Sequence, residues 1–326
     1  MISHNKTQFL KKIKNKKDFI FYKRINKFSI DPVPYFMDTV GNTKYSFLYE
    51  SVEKGKNKGR YTFCGYGAQS IITNKKKALY VTENKKTKKI KRGKNILNQI
   101  NSIISSYKVA NIRSLPPMTS SFFGYLSYEN INNIESIINR KKTDTLKIPD
   151  CLLFIPETLV IYDNQKSILY ITKIINKNIS NKKNIYQKLI NEFEKITADI
   201  KKNNKYEKIN FKKRKKISPK SNISKSRFIK NINKSKKYIK DGDIFQVVPS
   251  HRFSANYNST GKKLYQVLRK TNPSPFLYYF NLPNFNIVGS SPEILVRLRS
   301  NMVTIRPIAG TRPRGKSRAQ DISYEK

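Results

Sequence analysis

The chain has 326 residues, with 67 Lys and Arg against 21 Asp and Glu, and its formal net charge is +46. So large a positive charge first suggests a nucleic-acid or acidic-membrane partner. No apolar run approaches the ~18 residues that a membrane span needs, and no signal-peptide pattern is present, so we expect a soluble cytoplasmic protein. Cys64, Cys151, His4 and His251 lie far apart in the sequence, which excludes a disulfide framework and a Cys/His zinc site.

Most of the positive charge is lysine, and the lysines gather in three runs, residues 11–17, 75–91 and 201–216. Lys, Asn and Ile are all abundant and share A/T-rich codons, so a base-composition bias explains the excess more simply than selection for a polyanionic partner. Arginine binds carboxylates and phosphates bidentately, whereas a surface lysine is mostly a solvated point charge. Because no RNA- or DNA-binding motif accompanies the lysines, nucleic-acid binding is kept only as an alternative hypothesis.

The first region, residues 18–175, is predicted to be mostly β-structure with interspersed helices. The β-rich runs Ala68–Thr73 and Ala78–Glu83 flank a polar turn, a pattern typical of a hairpin. The runs Cys151–Tyr162 and Ser167–Lys173 flank a second polar turn and predict a second hairpin.

Helical spacing of apolar residues predicts helices over residues 96–107 and 184–200. The highly charged, aperiodic stretch that follows, residues 201–222, is the best candidate linker. Beyond it, an α+β region with a predominantly antiparallel sheet is predicted. Its predicted elements are helices over residues 226–240 and 262–270, an apolar run over 244–248, and strands near 276–281, 286–288, 294–298 and 302–305.

Two blocks rich in Gly, Pro, Ser and Arg stand out from this Lys-Asn-Ile chain. Val288–Glu293 places a carboxylate at a turn just after a predicted strand, where Glu293 can be partly buried and its pKa raised for general-acid catalysis. A capping Glu at a turn is the simpler alternative. Arg306–Gly315 combines two glycines, a hydroxyl and three arginines, which suits a carboxylate-bearing ligand. A basic surface loop is the alternative for that block.

Two further blocks are Asp243–Ser250, a buried-strand pattern carrying Gln246, and Asn272–Phe280, a turn with two prolines that enters an aromatic strand. Each alone is most simply core plus turn. No Walker-type loop and no G-x-G-x-x-G fingerprint is present.

Taken together, the four blocks resemble component I of anthranilate synthase, within the chorismate-utilising enzymes. The family patterns G-D-I-F-Q-V-V-x-S, N-P-S-P-[YF], G-[AS]-S-P-E and P-I-A-G-T-R-P-R-G are nearly unbroken here. Upstream, Phe47–Ser51 and Gly59–Thr62 are similar to the family's L-L-E-S and G-R-Y-S segments, with Tyr49 in place of the usual Leu. The resemblance runs from Asp31 to Gly315.

The resemblance implies an α+β fold in which antiparallel β-sheets are flanked by helices. It also implies three parts: an N-terminal regulatory region over residues 18–175, a helix and basic linker over residues 176–224, and a chorismate-binding catalytic domain over residues 225–326.

The activity implied by the resemblance is the conversion of chorismate and ammonia to anthranilate and pyruvate with Mg²⁺, the first step of tryptophan biosynthesis. Ammonia would come from glutamine through a separate amidotransferase subunit. By this resemblance, Glu293 is the general acid that helps the C4 hydroxyl to leave, and Gly310 and Thr311 bind chorismate. The implied pocket for feedback inhibition by L-tryptophan is formed by Ser51, Pro275, Phe276 and Leu277.

Two residues discriminate among the relatives. Isochorismate synthases carry Lys where Gln246 stands, because a base must activate water there. Aminodeoxychorismate synthases commonly carry Lys where Ala309 stands, as a nucleophile. Gln and Ala favour direct attack by ammonia, and aminodeoxychorismate synthase component I remains an alternative.

The family's catalytic domain continues past P-I-A-G-T-R-P-R-G, so its Mg²⁺ ligands are expected beyond Lys326 and the C-terminal domain is expected to be incomplete here. If the sequence is a fragment, the activity belongs to the parent protein. If the chain is a genuine truncation, we expect no anthranilate formation, since no carboxylate pair would hold Mg²⁺. A non-catalytic remnant that binds tryptophan or the amidotransferase subunit is then the alternative.

Overall fold

The computed structural model of the chain describes residues 1–15, 18–52, 59–75, 78–91, 95–107, 109, 112, 114–133, 135, 137–138, 144–176, 184–206, 217–299, 301–307 and 312–325. The helices are α1 (Lys6–Lys14), α2 (Val33–Tyr35), α3 (Ile96–Ser106), α4 (Ile185–Lys202), α5 (Lys225–Lys240), α6 (Gly261–Thr271) and α7 (Arg318–Glu325), with a π-helical turn at Phe36–Val40 and a 3₁₀ helix at Tyr128–Asn133. The strands are β1 (Phe19–Ile25), β2 (Ser46–Glu50), β3 (Tyr61–Tyr66), β4 (Ser70–Lys75), β5 (Ala78–Glu83), β6 (Lys86–Ile90), β7 (Phe123–Leu126), β8 (Cys151–Ile155), β9 (Thr158–Asp163), β10 (Ile168–Ile175), β11 (Lys220–Ser221), β12 (Phe253–Ser254), β13 (Phe276–Leu282), β14 (Phe285–Ser291), β15 (Arg297–Arg299) and β16 (Met302–Thr304).

A seven-stranded antiparallel sheet is the centre of the fold, with strand order β1-β10-β9-β3-β2-β13-β14. Its last two strands, β13 and β14, come from the later part of the chain; β13 pairs with β2 and β14 pairs with β13, so the sheet joins the N-terminal region to the predicted catalytic region. The register places Leu277 opposite Glu50 and Phe280 opposite Phe47.

Side chains of this sheet alternate between two apolar layers, as the pleat of a strand requires. On one face, α1, α4 and α6 cover a core that includes Phe9, Phe193 and Tyr265. On the other face, Phe47 stacks on Phe123 with ring centroids 4.1 Å apart, which packs the sheet against a second one. The prediction of antiparallel sheets flanked by helices is confirmed.

The second sheet has five strands in the order β6-β5-β4-β8-β7, and α3 covers its outer face around Ile72, Leu79 and Ile100. The two predicted hairpins are present as β4–β5 and β9–β10. Strand β6 is at an edge, and its lysines are exposed. Lysines on an open edge discourage pairing with another chain.

Two predictions of strands are wrong in part. The run Cys151–Tyr162 is two strands, β8 and β9, which belong to different sheets because the chain crosses between them at Pro156. The run Ile244–Val248 is not a strand, and Phe245 and Val248 are exposed. An apolar run shows only that burial is favourable, not that a neighbouring element covers it.

The described residues between 217 and 325 are much less buried than the two sheets, apart from α6, β13 and β14. Neither α5 nor α7 buries a side chain among the residues described. The predicted linker at residues 201–222 includes the end of α4, and its middle, residues 207–216, lies outside the described residues. Within the described part of the chain, no helix is both long and apolar enough to cross a membrane.

Candidate functional site

The predicted inhibitor residues come together where β2 ends and β13 begins. Ser51 directly follows β2, and Pro275 directly precedes β13, its partner in the sheet. The main-chain N–H of Val52 donates to the carbonyl oxygen of Ser274 at 3.0 Å, which extends the contact beyond the last strand pair. Residues far apart in sequence thus form one local surface, which we call the Ser51 site.

Exposure differs among the predicted residues of the Ser51 site. Ser51 and Pro275 are half-buried, and Phe276 is 40% exposed. The side chain of Leu277 instead lies in the core between the sheet and the helices, at 1% exposure. A ligand at this surface would therefore meet the side chains of Ser51, Pro275 and Phe276, and the main chain of Leu277.

Gly59 closes the Ser51 site from the side of β3. A β-carbon placed at Gly59 would lie 2.0 Å from the β-carbon of Ser51, far inside any real contact. Only glycine therefore allows the chain before β3 to lie against Ser51. This contact gives a physical reason for the glycine of the G-R-Y segment.

One polar group next to the Ser51 site has no partner. The hydroxyl of Ser274 is buried, and among the described residues nothing hydrogen-bonds to it. A buried hydroxyl without a hydrogen bond costs about 1–3 kcal/mol. A water or a ligand at this surface would recover that free energy.

Glu50 is the buried charge behind the Ser51 site, and its side chain is 4% exposed. Arg269 binds it bidentately: Nε donates to Oε1 at 2.6 Å and Nη2 donates to Oε2 at 2.9 Å. The hydroxyl of Tyr265 also donates to Oε1. Tyr265 and Arg269 are four residues apart on α6, so both project from one face of the helix toward β2.

Arg269 is also held on its outer side. Its guanidinium lies over the ring of Tyr206, 4.8 Å from the centroid, and 3.8 Å from the carboxylate of Asp31. The hydroxyl of Tyr206 donates to that same carboxylate. The Glu50 cluster, defined as Glu50, Arg269, Tyr265, Asp31 and Tyr206, thus ties together four separate segments of the chain.

Ionisation in the Glu50 cluster follows from burial and charge. Burial alone would lower the pKa of Arg269, but its hydrogen bonds and ion pair with Glu50 outweigh burial and raise it. Burial, and then the adjacent charge of Glu50, raises the pKa of Tyr265 well above its ordinary value. The guanidinium therefore stays charged and the phenol stays neutral, which is the pairing that a buried carboxylate requires.

The predicted general acid does not have the predicted burial. Glu293 follows β14 and is exposed, and the hydroxyl of Ser291 caps the turn with a bond to the carbonyl oxygen of Glu293 at 3.3 Å. The expectation of partial burial is thus wrong for this structure, and the strands that follow, β15 and β16, are themselves mostly exposed. Gln246 is likewise exposed.

The predicted chorismate-binding residues Gly310 and Thr311 lie outside the described residues, as does Ala309. Next to them, Arg306 and Arg312 are exposed.

No residues among those described are arranged to hold a divalent cation. Clusters of three or more His, Cys, Asp or Glu side chains are absent from the described ranges. The described residues therefore do not fit a Mg²⁺ site.

Two clefts among the described residues lie elsewhere. A groove of about 480 Å³ runs between α3 and the β5–β6 hairpin, lined by Val81, Ile103 and Tyr107 among others. A smaller cleft beside it includes Ser70 and Glu83. Neither cleft contains a residue that the sequence predicts to be functional.

The sequence motifs contain Glu50 only as part of the Phe47–Ser51 segment, and they do not include Tyr265 or Arg269. The available signal was their four-residue spacing in the predicted helix that leads into the N-P-S-P turn. What that spacing could not supply was the partner, because Glu50 reaches α6 only through the fold.

Comparison with known proteins gives concordant results. A family model described as chorismate binding enzyme matches residues 45–326. The chain is 34% identical over 293 residues to anthranilate synthase component 1 of Acetivibrio thermocellus, a match that covers 86% of this chain and 57% of that protein. It is 32% identical over 294 residues to the Acinetobacter calcoaceticus protein of the same name, with 86% and 57% covered.

A crystal structure of anthranilate synthase component I from Streptococcus pneumoniae matches with a TM-score of 0.62 at 24% identity, covering 87% of this chain and 60% of that one. That likeness shows the fold. The chain spans less than three fifths of the length of the two curated relatives.

Proposed function

The chain belongs to the chorismate-binding enzyme family, and we propose that it acts as the large subunit of an anthranilate synthase, or as part of one. The reaction converts chorismate and ammonia to anthranilate, pyruvate and water. The proposed partner is a glutamine amidotransferase subunit that supplies the ammonia. The proposed regulator is L-tryptophan, bound at the Ser51 site.

The observation that carries this proposal is the meeting of Ser51 with Pro275 and Phe276. The resemblance assigned these residues to one inhibitor pocket, although they lie in different regions of the sequence. The pairing of β2 with β13, extended by the bond from Val52 N–H to the carbonyl oxygen of Ser274, brings them side by side at one end of the central sheet. A polar residue, a proline and an exposed aromatic ring together suit a ligand that is both aromatic and polar.

The chemistry assigned to the chain's own residues is limited to two roles. As a neutral acid, Glu293 would donate its proton to the C4 hydroxyl of chorismate, which leaves as water after ammonia has bonded to the ring. Such a role requires a protonated carboxyl group, so Glu293 must become enclosed when substrate binds. Gly310 and Thr311 would hold a substrate carboxylate through main-chain N–H groups and a hydroxyl.

Aminodeoxychorismate synthase is the nearest competing activity. It keeps the enolpyruvyl group on the ring and releases no pyruvate, so the products separate the two functions. Gln246 and Ala309, at positions where relatives carry lysine, favour anthranilate.

The test is an assay of the full-length protein with chorismate, Mg²⁺ and an ammonium salt. We expect the fluorescence of anthranilate to appear with an equal amount of pyruvate, and we expect Glu293→Gln to abolish both. Glu325→Gln, an exposed carboxylate near the end of α7, is the matched control and should leave turnover unchanged. An aminated product that keeps the enolpyruvyl group and forms without pyruvate would replace this proposal with the competing one, and no product at all would refute both.

A further inference from the structure

We propose that Arg269 is a positioning residue for the Ser51 site: by occupying both oxygens of Glu50, it holds Ser51 and the Pro275–Phe276 turn in the arrangement that binds the inhibitor. This inference rests on the proposed function, because it assumes that L-tryptophan binds there. Arg269 would act on the ligand without touching it.

Glu50 itself is not available to a ligand. One of its oxygens accepts from Arg269 and Tyr265, and the other accepts from Arg269. The side chain is almost fully buried among these donors. A ligand ammonium that paired with Glu50 would have to displace a bidentate guanidinium, so Glu50 acts here as an anchor of the main chain next to Ser51.

Arg269 is connected to both walls of the Ser51 site, which are the end of β2 on one side and the turn before β13 on the other. Through Glu50 it fixes the end of β2, and the next residue is Ser51. Through α6, which ends at Thr271, it fixes the start of the turn that contains Pro275. The bond from Val52 N–H to the carbonyl oxygen of Ser274 joins the two walls. A shift of the guanidinium would therefore move one wall relative to the other.

The geometry of the cluster requires arginine in particular. A planar fork is needed to bind both oxygens of Glu50 while its face lies over the ring of Tyr206. Lysine would keep the positive charge but could offer neither the fork nor the stacking face. Arg269→Lys thus removes the positioning function while it preserves charge compensation of the buried carboxylate.

The composition of the chain offers a clean measurement. The sequence contains no tryptophan, so L-tryptophan added to the protein is the only indole in the sample. Its emission, excited at the red edge of the indole band, should increase or shift to shorter wavelength on binding to the wild-type chain. Titration of this signal gives the dissociation constant.

We expect Arg269→Lys to weaken L-tryptophan binding by about tenfold or more, the change that corresponds to one lost charge-assisted hydrogen bond. Lys173→Met is the matched control. It breaks the partly buried ion pair of Lys173 with Glu192, at 2.6 Å, and should leave the affinity unchanged. Far-ultraviolet circular dichroism checks that each variant is folded.

A double-mutant cycle with Glu50 distinguishes a positioning role of Arg269 from a merely structural one. In the Glu50→Gln background, Arg269→Lys should change the affinity by less than about twofold, because the route through Glu50 is already lost. A full additional loss in that background would overturn the proposal. If Arg269→Lys does not fold, Tyr265→Phe removes a single donor to Glu50 and should weaken binding about threefold; unchanged affinity there would overturn it.

Failure of the premise has a different signature. If the wild-type chain does not bind L-tryptophan, the proposed regulation fails and this inference fails with it. If the wild type binds and Arg269→Lys binds equally well, only the role of Arg269 is refuted.

Discussion

At the scale of single residues, the Ser51 site depends as much on an absent side chain as on those present. Gly59 leaves the space that Ser51 occupies. The two sides of the site are the end of β2 and the turn before β13. Glu50 and Arg269 fix the backbone behind it. Substitutions here should therefore affect ligand binding through position rather than through lost contacts.

Gly59→Ala should weaken L-tryptophan binding by roughly tenfold or more, since its β-carbon cannot coexist with Ser51 in the present arrangement. Fluorescence titration of the ligand measures the change. The control is Gly242→Ala, where nothing lies within 4 Å but the backbone is left-handed at φ +80°. That variant should lose about 1 kcal/mol of stability and keep its affinity. Wild-type affinity in Gly59→Ala would show that Ser51 is not part of the pocket.

At the scale of elements, periodicity predicted most of the structure. The helices over residues 96–107 and 184–200 and both hairpins are present, because each has a clear apolar face and a polar turn. Periodicity failed where the outcome depends on a distant neighbour. The split of Cys151–Tyr162 between two sheets, the exposure of Ile244–Val248 and the exposure of Glu293 are of this kind.

The candidate site shows the same division. The motifs supplied Ser51 and the residues before β13, and the fold confirms that they are neighbours. Arg269 could not be assigned from sequence, because its role depends on the placement of α6 against β2. Whether these residues bind tryptophan stays a prediction.

Burial separates α4 from α5, although both are amphipathic helices of similar length. Ile196 in α4 is 4% exposed, whereas Ile239 in α5 is 46% exposed. Ile196→Ala should lower the free energy of unfolding by about 2–4 kcal/mol, and Ile239→Ala by less than about 0.5 kcal/mol. Urea unfolding followed by circular dichroism measures both. Equal losses would mean that α5 is packed against a partner in solution.

At the scale of the whole molecule, buried tyrosines make the fold sensitive to alkali. Burial raises the pKa of Tyr66 and of Tyr279 to about 12, whereas in the unfolded chain a tyrosine ionises near pH 10. A group whose pKa is raised on folding stabilises the fold fully below its unfolded pKa. That contribution is lost as the pH rises from about 10 toward 12.

The double variant Tyr66→Phe and Tyr279→Phe isolates this effect from the simultaneous discharge of lysines, which both proteins share. We expect the free energy of unfolding of the wild type to fall relative to the variant as the pH rises from about 9 to about 11. Urea unfolding at constant ionic strength measures the difference at each pH. Parallel pH profiles would show that these hydroxyls already ionise in the folded state.

Because β13 pairs with β2, the order of synthesis determines when the central sheet can be completed. Translation releases β2 more than two hundred residues before β13, and at about 5–20 residues per second this interval is on the order of ten seconds or more. Throughout that time one edge of β2 has no partner, in a nascent chain rich in phenylalanine and tyrosine. The central sheet can therefore be completed only late in synthesis, once β13 has been made.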